Sequence, residues 1–109
     1  MTIQFNTDSN ISGNQGLQEN LSERLTHALK KYGDRITRLE VHLSDENSSK
    51  IGENDKRCML EARVADIKPV AVTNFDNSID QAVTGAIAKL TAALDSTLGK
   101  METVSRKPV

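Results

Sequence analysis

Residues 17–43, LQENLSERLTHALKKYGDRITRLEVHL, carry two hydrophobic periods back to back. In the first half Leu17, Leu21, Leu25, Leu29 and Tyr32 recur every three or four positions. That spacing draws one apolar stripe along a helix of about four turns. Gly33 stands where a glycine closes a helix, and Lys30 and Lys31 suit the negative end of the helix dipole. From Ile36 the period drops to two: Leu39, Val41 and Leu43 point one way, Arg38, Glu40 and His42 the other. A helix therefore hands on directly to a half-buried strand.

On the N-terminal side, Ile3 and Phe5 alternate with Gln4 and Asn6, a short strand, and the polar run Thr7–Gly16 reads as a loop. On the C-terminal side, the polar stretch Ser44–Asp55 is a connection. It leads to a third strand, Arg57–Val64, with Cys58, Leu60, Ala62 and Val64 inward and Arg57, Met59, Glu61 and Arg63 outward. A turn at Asp66–Lys68 precedes Pro69 and a fourth strand, Val70–Thr73. Ser78 and Gln81 fit a capping box. Behind it Ile79, Val83, Ile87, Leu90, Leu94, Leu98 and Met101 stripe a long helix, which Gly99 is expected to end or loosen. The order is βαβββα: an α+β fold, a four-stranded mixed sheet with two helices packed on one face. The first two strands, joined across a helix, are expected to be parallel and the others antiparallel. Residues 3–101 are expected to form a single domain and residues 102–109 a flexible C-terminal tail.

Composition excludes several classes. With 37% apolar residues in 109, the chain has room for one small aliphatic core and no sign of global disorder. No apolar run approaches the ~20 residues of a membrane span, and Met1–Asn6 lacks the regions of a secretory signal, so a cytoplasmic location is expected. One cysteine, Cys58, allows no internal disulfide. Fourteen basic against fifteen acidic residues remove any argument for nucleic acid from net charge alone. The distribution says more. Arg24, Lys30, Lys31, Arg35 and Arg38 against Asp34 make Arg24–Arg38 locally +4, whereas Asp45, Glu46, Glu53 and Asp55 against Lys50 make Ser44–Asp55 −3.

Catalytic chemistry finds no support. No phosphate loop, nucleophile elbow or dinucleotide fingerprint occurs. His27 lies off the helix stripe and His42 points outward, while Cys58 points inward, so the three cannot converge on zinc. Asp45-Glu46-Asn47 looks like the start of a calcium loop, but the twelfth position is Lys56 instead of a bidentate glutamate. No enzyme activity, cofactor or small-molecule substrate is expected. The open sheet face is expected to lack Phe, Tyr and Trp, so RNA bound to this protein would be held through phosphate and sugar by Lys and Arg.

Three stretches resemble the ribosome hibernation-promoting factors, also called ribosome-associated inhibitor A or sigma-54 modulation proteins. They are Leu25–Ile36 (LTHALKKYGDRI), Leu39–Leu43 (LEVHL) and Phe75–Leu90 (FDNSIDQAVTGAIAKL). The resemblance implies binding to the small ribosomal subunit in the channel used by messenger and transfer RNA, as a stress-response block on translation. It also implies that basic side chains of the two helices meet ribosomal RNA phosphates. Lys30, Lys31, Arg35 and Arg38 match the basic end of the family's first helix and the strand after it. Lys89 matches the lysine of its Lys-Leu step, and Lys100 falls where further basic residues of the second helix are expected.

Two departures weaken the match. The family's second helix is densely basic, whereas here Asp76, Asp80 and Asp95 outnumber Lys89, and a turn containing Gly85 is additional. Weaker RNA binding than that of a typical member is therefore expected. The further C-terminal domain with which long members pair ribosomes is not recognised. The competing reading is a divergent protein-binding module of the same fold without strong RNA binding, suggested by the acidic loop and the near-neutral second helix.

Overall fold

The structure, a computed structural model, describes residues 1–7, 15–45 and 55–105, the last six by their backbone. The elements are β1 (Thr2–Thr7), α1 (Gln15–Leu29), a 3-10 helix (Lys30–Arg35), β2 (Ile36–Asp45), β3 (Lys56–Val64), β4 (Val70–Asp76) and α2 (Ile79–Ser105). The sheet order is β1-β2-β3-β4, with β1 parallel to β2 and the other two pairs antiparallel. This is the expected βαβββα arrangement. Most of the two expected loops, residues 8–14 and 46–54, lies outside the described residues.

The core is aliphatic and one-sided. Leu21, Leu25 and Leu29 of α1 and Val83, Leu90 and Leu94 of α2 meet Leu39, Val41, Leu60 and Ala62 of the central strands, and all of them are buried. Each buried Leu removes enough apolar surface from water to contribute roughly 1.5–3 kcal/mol. Ala82 and Ala86, fully buried, let α2 lie close over β3 and β4. Arg24 meets Asp80 and Thr84, and Tyr32 meets Thr91 and Asp95, so the two helices run side by side in the same direction.

Three boundaries and one strand register differ from expectation. The regular part of α1 stops at Leu29, and Tyr32 enters the core from the 3-10 helix. Gly33 then takes φ 58°, ψ −133°, which costs glycine little and any other residue a steric clash. Between Ile36 and Arg38 the β2–β3 register shifts by a bulge, which returns the alternation to an inward Leu39. Strand β4 extends past Thr73 to Asp76 and carries Phe75 with it. Helix α2 does not end at Gly99: it continues to Ser105, through the first residues of the expected tail. Gly99 is exposed with open space around it, so it costs the helix only the ~1 kcal/mol of glycine propensity. Arg106–Val109 lie outside the described residues.

Candidate nucleic-acid interface

The basic residues of the Arg24–Arg38 segment do not form one edge. Lys31 and Arg35 face α2 across a hollow of about 380 Å³, lined also by Tyr32, Asp95, Leu98 and Gly99. Lys30 lies on the outer side of α1, beside Ser22, Glu23, Thr26 and His27. Arg38 stands apart from both. In register with Thr2 and Arg63, it belongs to the open face of the sheet, and its Nε is shielded from solvent without a hydrogen-bond partner.

The acids of α2 answer two of these cations. Asp95 Oδ2 takes a hydrogen bond from Lys31 Nζ at 3.1 Å, and its Oδ1 takes one from the Tyr32 hydroxyl at 2.7 Å. Asp80 Oδ1 holds Arg24 at 2.8 Å, and Arg24 also donates to the Thr84 hydroxyl at 2.6 Å. Lys31 further sits 5.2 Å from the centre of the Tyr32 ring. The Tyr32 and Lys31 hydrogen bonds both lower the Asp95 pKa, and burial together with the Asp95 charge raises that of Tyr32. The groove between the helices is thus a mixed-charge surface, less positive than its basic residues alone suggest.

Lys89 does not extend this surface. It leaves α2 on the side of β4, where its Nζ donates to the Thr73 carbonyl at 3.0 Å. A lysine over an edge strand blunts the edge against pairing with another chain. Lys100 lies on α2, and its side chain is outside the described residues. Of the six expected RNA-binding residues, the fold brings together Lys31 and Arg35, places Lys30 on the next side of the same helix end, and sends Arg38 and Lys89 elsewhere.

The open sheet face carries what the sequence reading missed. Its cross-strand rows run Thr2–Arg38–Arg63, Gln4–Glu40–Glu61–Ala71, Asn6–His42–Met59–Thr73 and Ser44–Arg57–Phe75. Phe75 is 48% exposed on this face, which corrects the expectation of a face without aromatics. Arg63 and His42 lie 3.6 and 3.8 Å from Glu40, whereas the described partner of Arg57 is the Met59 sulfur at 3.7 Å. The signal was present as the alternation Ala71, Thr73, Phe75. It was hidden because the inward Asn74 is polar and breaks the apolar period. Asn74 is accommodated by donating to the Ala82 carbonyl at 3.1 Å, beneath Gly85.

Cys58 is fully buried, and burial pushes its thiol up to about 12, far from a thiolate at neutral pH. At the end of the sheet Lys56 lies 3.3 Å from Asp45 and 3.0 Å from Asp55, a compensated cluster. Among the described residues no group of three or more His, Cys, Asp or Glu is placed to hold a metal ion. No described helix is long and apolar enough to cross a membrane.

The fold and this groove define a small α+β domain with charged helix edges on one side and, among the described residues, an open sheet face on the other. The sequence profile of the sigma 54 modulation protein / S30EA ribosomal protein family matches residues 3–102, and the chain belongs to that family. No curated protein sequence matches it. The N-terminal domain of Protein Y from Thermus thermophilus is similar in structure, with a TM-score of 0.71 at 16% identity, over 89% of this chain and 99% of that one. A ribosomal subunit interface protein from Coxiella burnetii is similar at a TM-score of 0.66 and 17% identity, over 94% and 99% of the two chains. At these identities the likeness speaks for the fold.

Proposed function

We propose that this protein is a ribosome-associated translation inhibitor, acting by occupancy of the small ribosomal subunit, with residues 3–101 serving as the binding domain. The observation that carries the reading is the exposure of Lys31 and Arg35 on the groove beside α2, with Lys30 exposed on the next side of the same 3-10 segment. Family membership and the role named for the Coxiella burnetii protein support it. Lys and Arg in such a place meet phosphate oxygens, and each phosphate neutralised adds about 0.7–0.9 to the salt dependence of binding. Since Asp80 and Asp95 already hold Arg24 and Lys31, few such contacts remain, and the association is weak and salt-sensitive.

The test is sedimentation with small subunits at low and moderate salt. The unaltered protein co-migrates at low salt and is released as salt rises. Lys30→Glu, Lys31→Glu and Arg35→Glu together abolish co-migration. They change the unfolding temperature little, because exposed ion pairs such as Lys31–Asp95 contribute at most ~1 kcal/mol. Reversal of Arg63, which Glu40 already faces, has a smaller effect. Absence of co-migration at every salt concentration overturns the reading.

A further inference from the structure

The open face of the sheet has a second use, separate from the helix edge. We propose that it holds one unpaired nucleotide of single-stranded RNA, with the base stacked on Phe75 and the phosphate on Arg57. The proposal rests on the reading that this protein meets RNA.

Phe75 and Arg57 are directly opposite each other on β4 and β3. Phe75 is one of two large hydrophobic residues exposed among those described, the other being Met1 at the start of the chain. The outward residues of β4, namely Ala71, Thr73 and Phe75, carry no charge, so the aromatic face is not screened by its neighbours. Arg57 runs back along the same face, its Nη2 3.7 Å from the Met59 sulfur, and no carboxylate among the described residues lies within ion-pair distance of it. The acids of this face, Glu40 and Glu61, share one row nearer its other end, and Asp45 and Asp55 are held by Lys56, whose strand position points to the helix side. An exposed ring beside a guanidinium that meets no carboxylate among the described residues, on the open sheet face, is complementary to a base and its phosphate.

The edge of the sheet favours the same ligand. An extended peptide would add to β4 through its free backbone groups, but Lys89 already occupies the Thr73 carbonyl there. What remains accessible is the face, where a flat base needs no backbone pairing.

The test uses the whole protein and a labelled oligouridylate of about eight nucleotides, within the usual site size for single strands, read by fluorescence anisotropy at several salt concentrations. Phe75→Ala and Phe75→Leu are each expected to weaken binding about 5- to 100-fold without changing its salt slope, and Phe75→Tyr to retain it. Arg57→Gln lowers the salt slope by about 0.7, one phosphate contact to a single strand. Phe75 is half exposed, so thermal unfolding of these variants stays close to that of the parent.

Failure of the unaltered protein to bind the oligonucleotide at low salt overturns the proposal. So does full binding by Phe75→Leu, which would mark a merely apolar contact. A Phe75→Ala variant that loses ribosome association but keeps the oligonucleotide also overturns it, in favour of a ribosomal protein as occupant. If the Lys30/Lys31/Arg35 reversals abolish ribosome association while Phe75→Ala binds RNA normally, this inference fails and the helix-edge reading stands. If binding to both follows Phe75 and ignores the three reversals, the opposite holds.

Discussion

The Tyr32 hydroxyl, at the end of the first helical segment, donates to Asp95 Oδ1 in the middle of α2 at 2.7 Å, across 63 residues of sequence. The same hydroxyl lies 3.1 Å from the Thr91 carbonyl, and the other Asp95 oxygen accepts from Lys31. One tyrosine thereby sets the spacing of the two helices at the place where the proposed RNA-binding cations stand.

This arrangement makes stability depend on pH at both ends. The Asp95 pKa is lowered in the folded state, so its contribution is present above the ordinary carboxylate range near ~4 and is lost as pH falls through the folded value. The Tyr32 pKa is raised, so its contribution is complete below ~10 and is lost as pH rises beyond that. Tyr32→Phe is expected to lower the unfolding temperature at neutral pH, to shrink the acid decline and to remove the tyrosine part of the alkaline decline. Thermal unfolding followed by circular dichroism from pH 3 to 11 reads all three effects. An unchanged alkaline decline would show that the hydroxyl plays no such part.

Asp95→Asn should strengthen RNA binding. The substitution keeps an oxygen for the Tyr32 hydroxyl and removes the charge that Lys31 now answers. Small-subunit association is expected to tighten and its salt slope to steepen by about 0.7–0.9 for each additional phosphate that is neutralised. Asp80→Asn, which releases Arg24, should add to the effect. The competing protein-binding reading expects no such strengthening.

Gly85→Ala should destabilise the protein although alanine is the better helix former. A Cβ at Gly85 would overlap the Asn74 side-chain amide, which is held to the Ala82 carbonyl. Crowding of this kind costs ~1–3 kcal/mol, against a benefit in helix propensity of about 1 kcal/mol. Urea unfolding should place Gly85→Ala below the parent, and Asn74→Ala in the Gly85→Ala background should recover part of the difference.

Cys58 should be inert in the folded protein. Its thiol is fully buried and raised to about 12, so a disulfide reagent at pH 8 is expected to label it only at the rate of unfolding. Since an unfolded thiol titrates near ~8.5, the Cys58 contribution to stability is complete below that pH and is lost as pH rises above it. Cys58→Ala removes this part of the decline, which begins below the tyrosine part and is distinguishable from it.

The order of elements was legible in the residues because helix and strand faces follow from local spacing alone. Leu21, Leu25 and Leu29 line up at helical period, and Leu39, Val41 and Leu43 alternate, whatever the rest of the chain does. The same logic placed Cys58 inward and Gly33 at a helix end. It stopped where a polar residue served the core: Asn74 faces α2 with its amide satisfied by a helix carbonyl, so the strand appeared to end at Thr73 and Phe75 was lost to the reading. The partners of the charged residues were beyond reach for a different reason. Which cation meets Asp95, Asp80 or the Thr73 carbonyl depends on how far each helix is rotated and shifted over the sheet, a property of packed surfaces that no local period encodes. Charge count and helix position are written in the sequence, but the residual field of the groove exists only once α1 and α2 lie side by side.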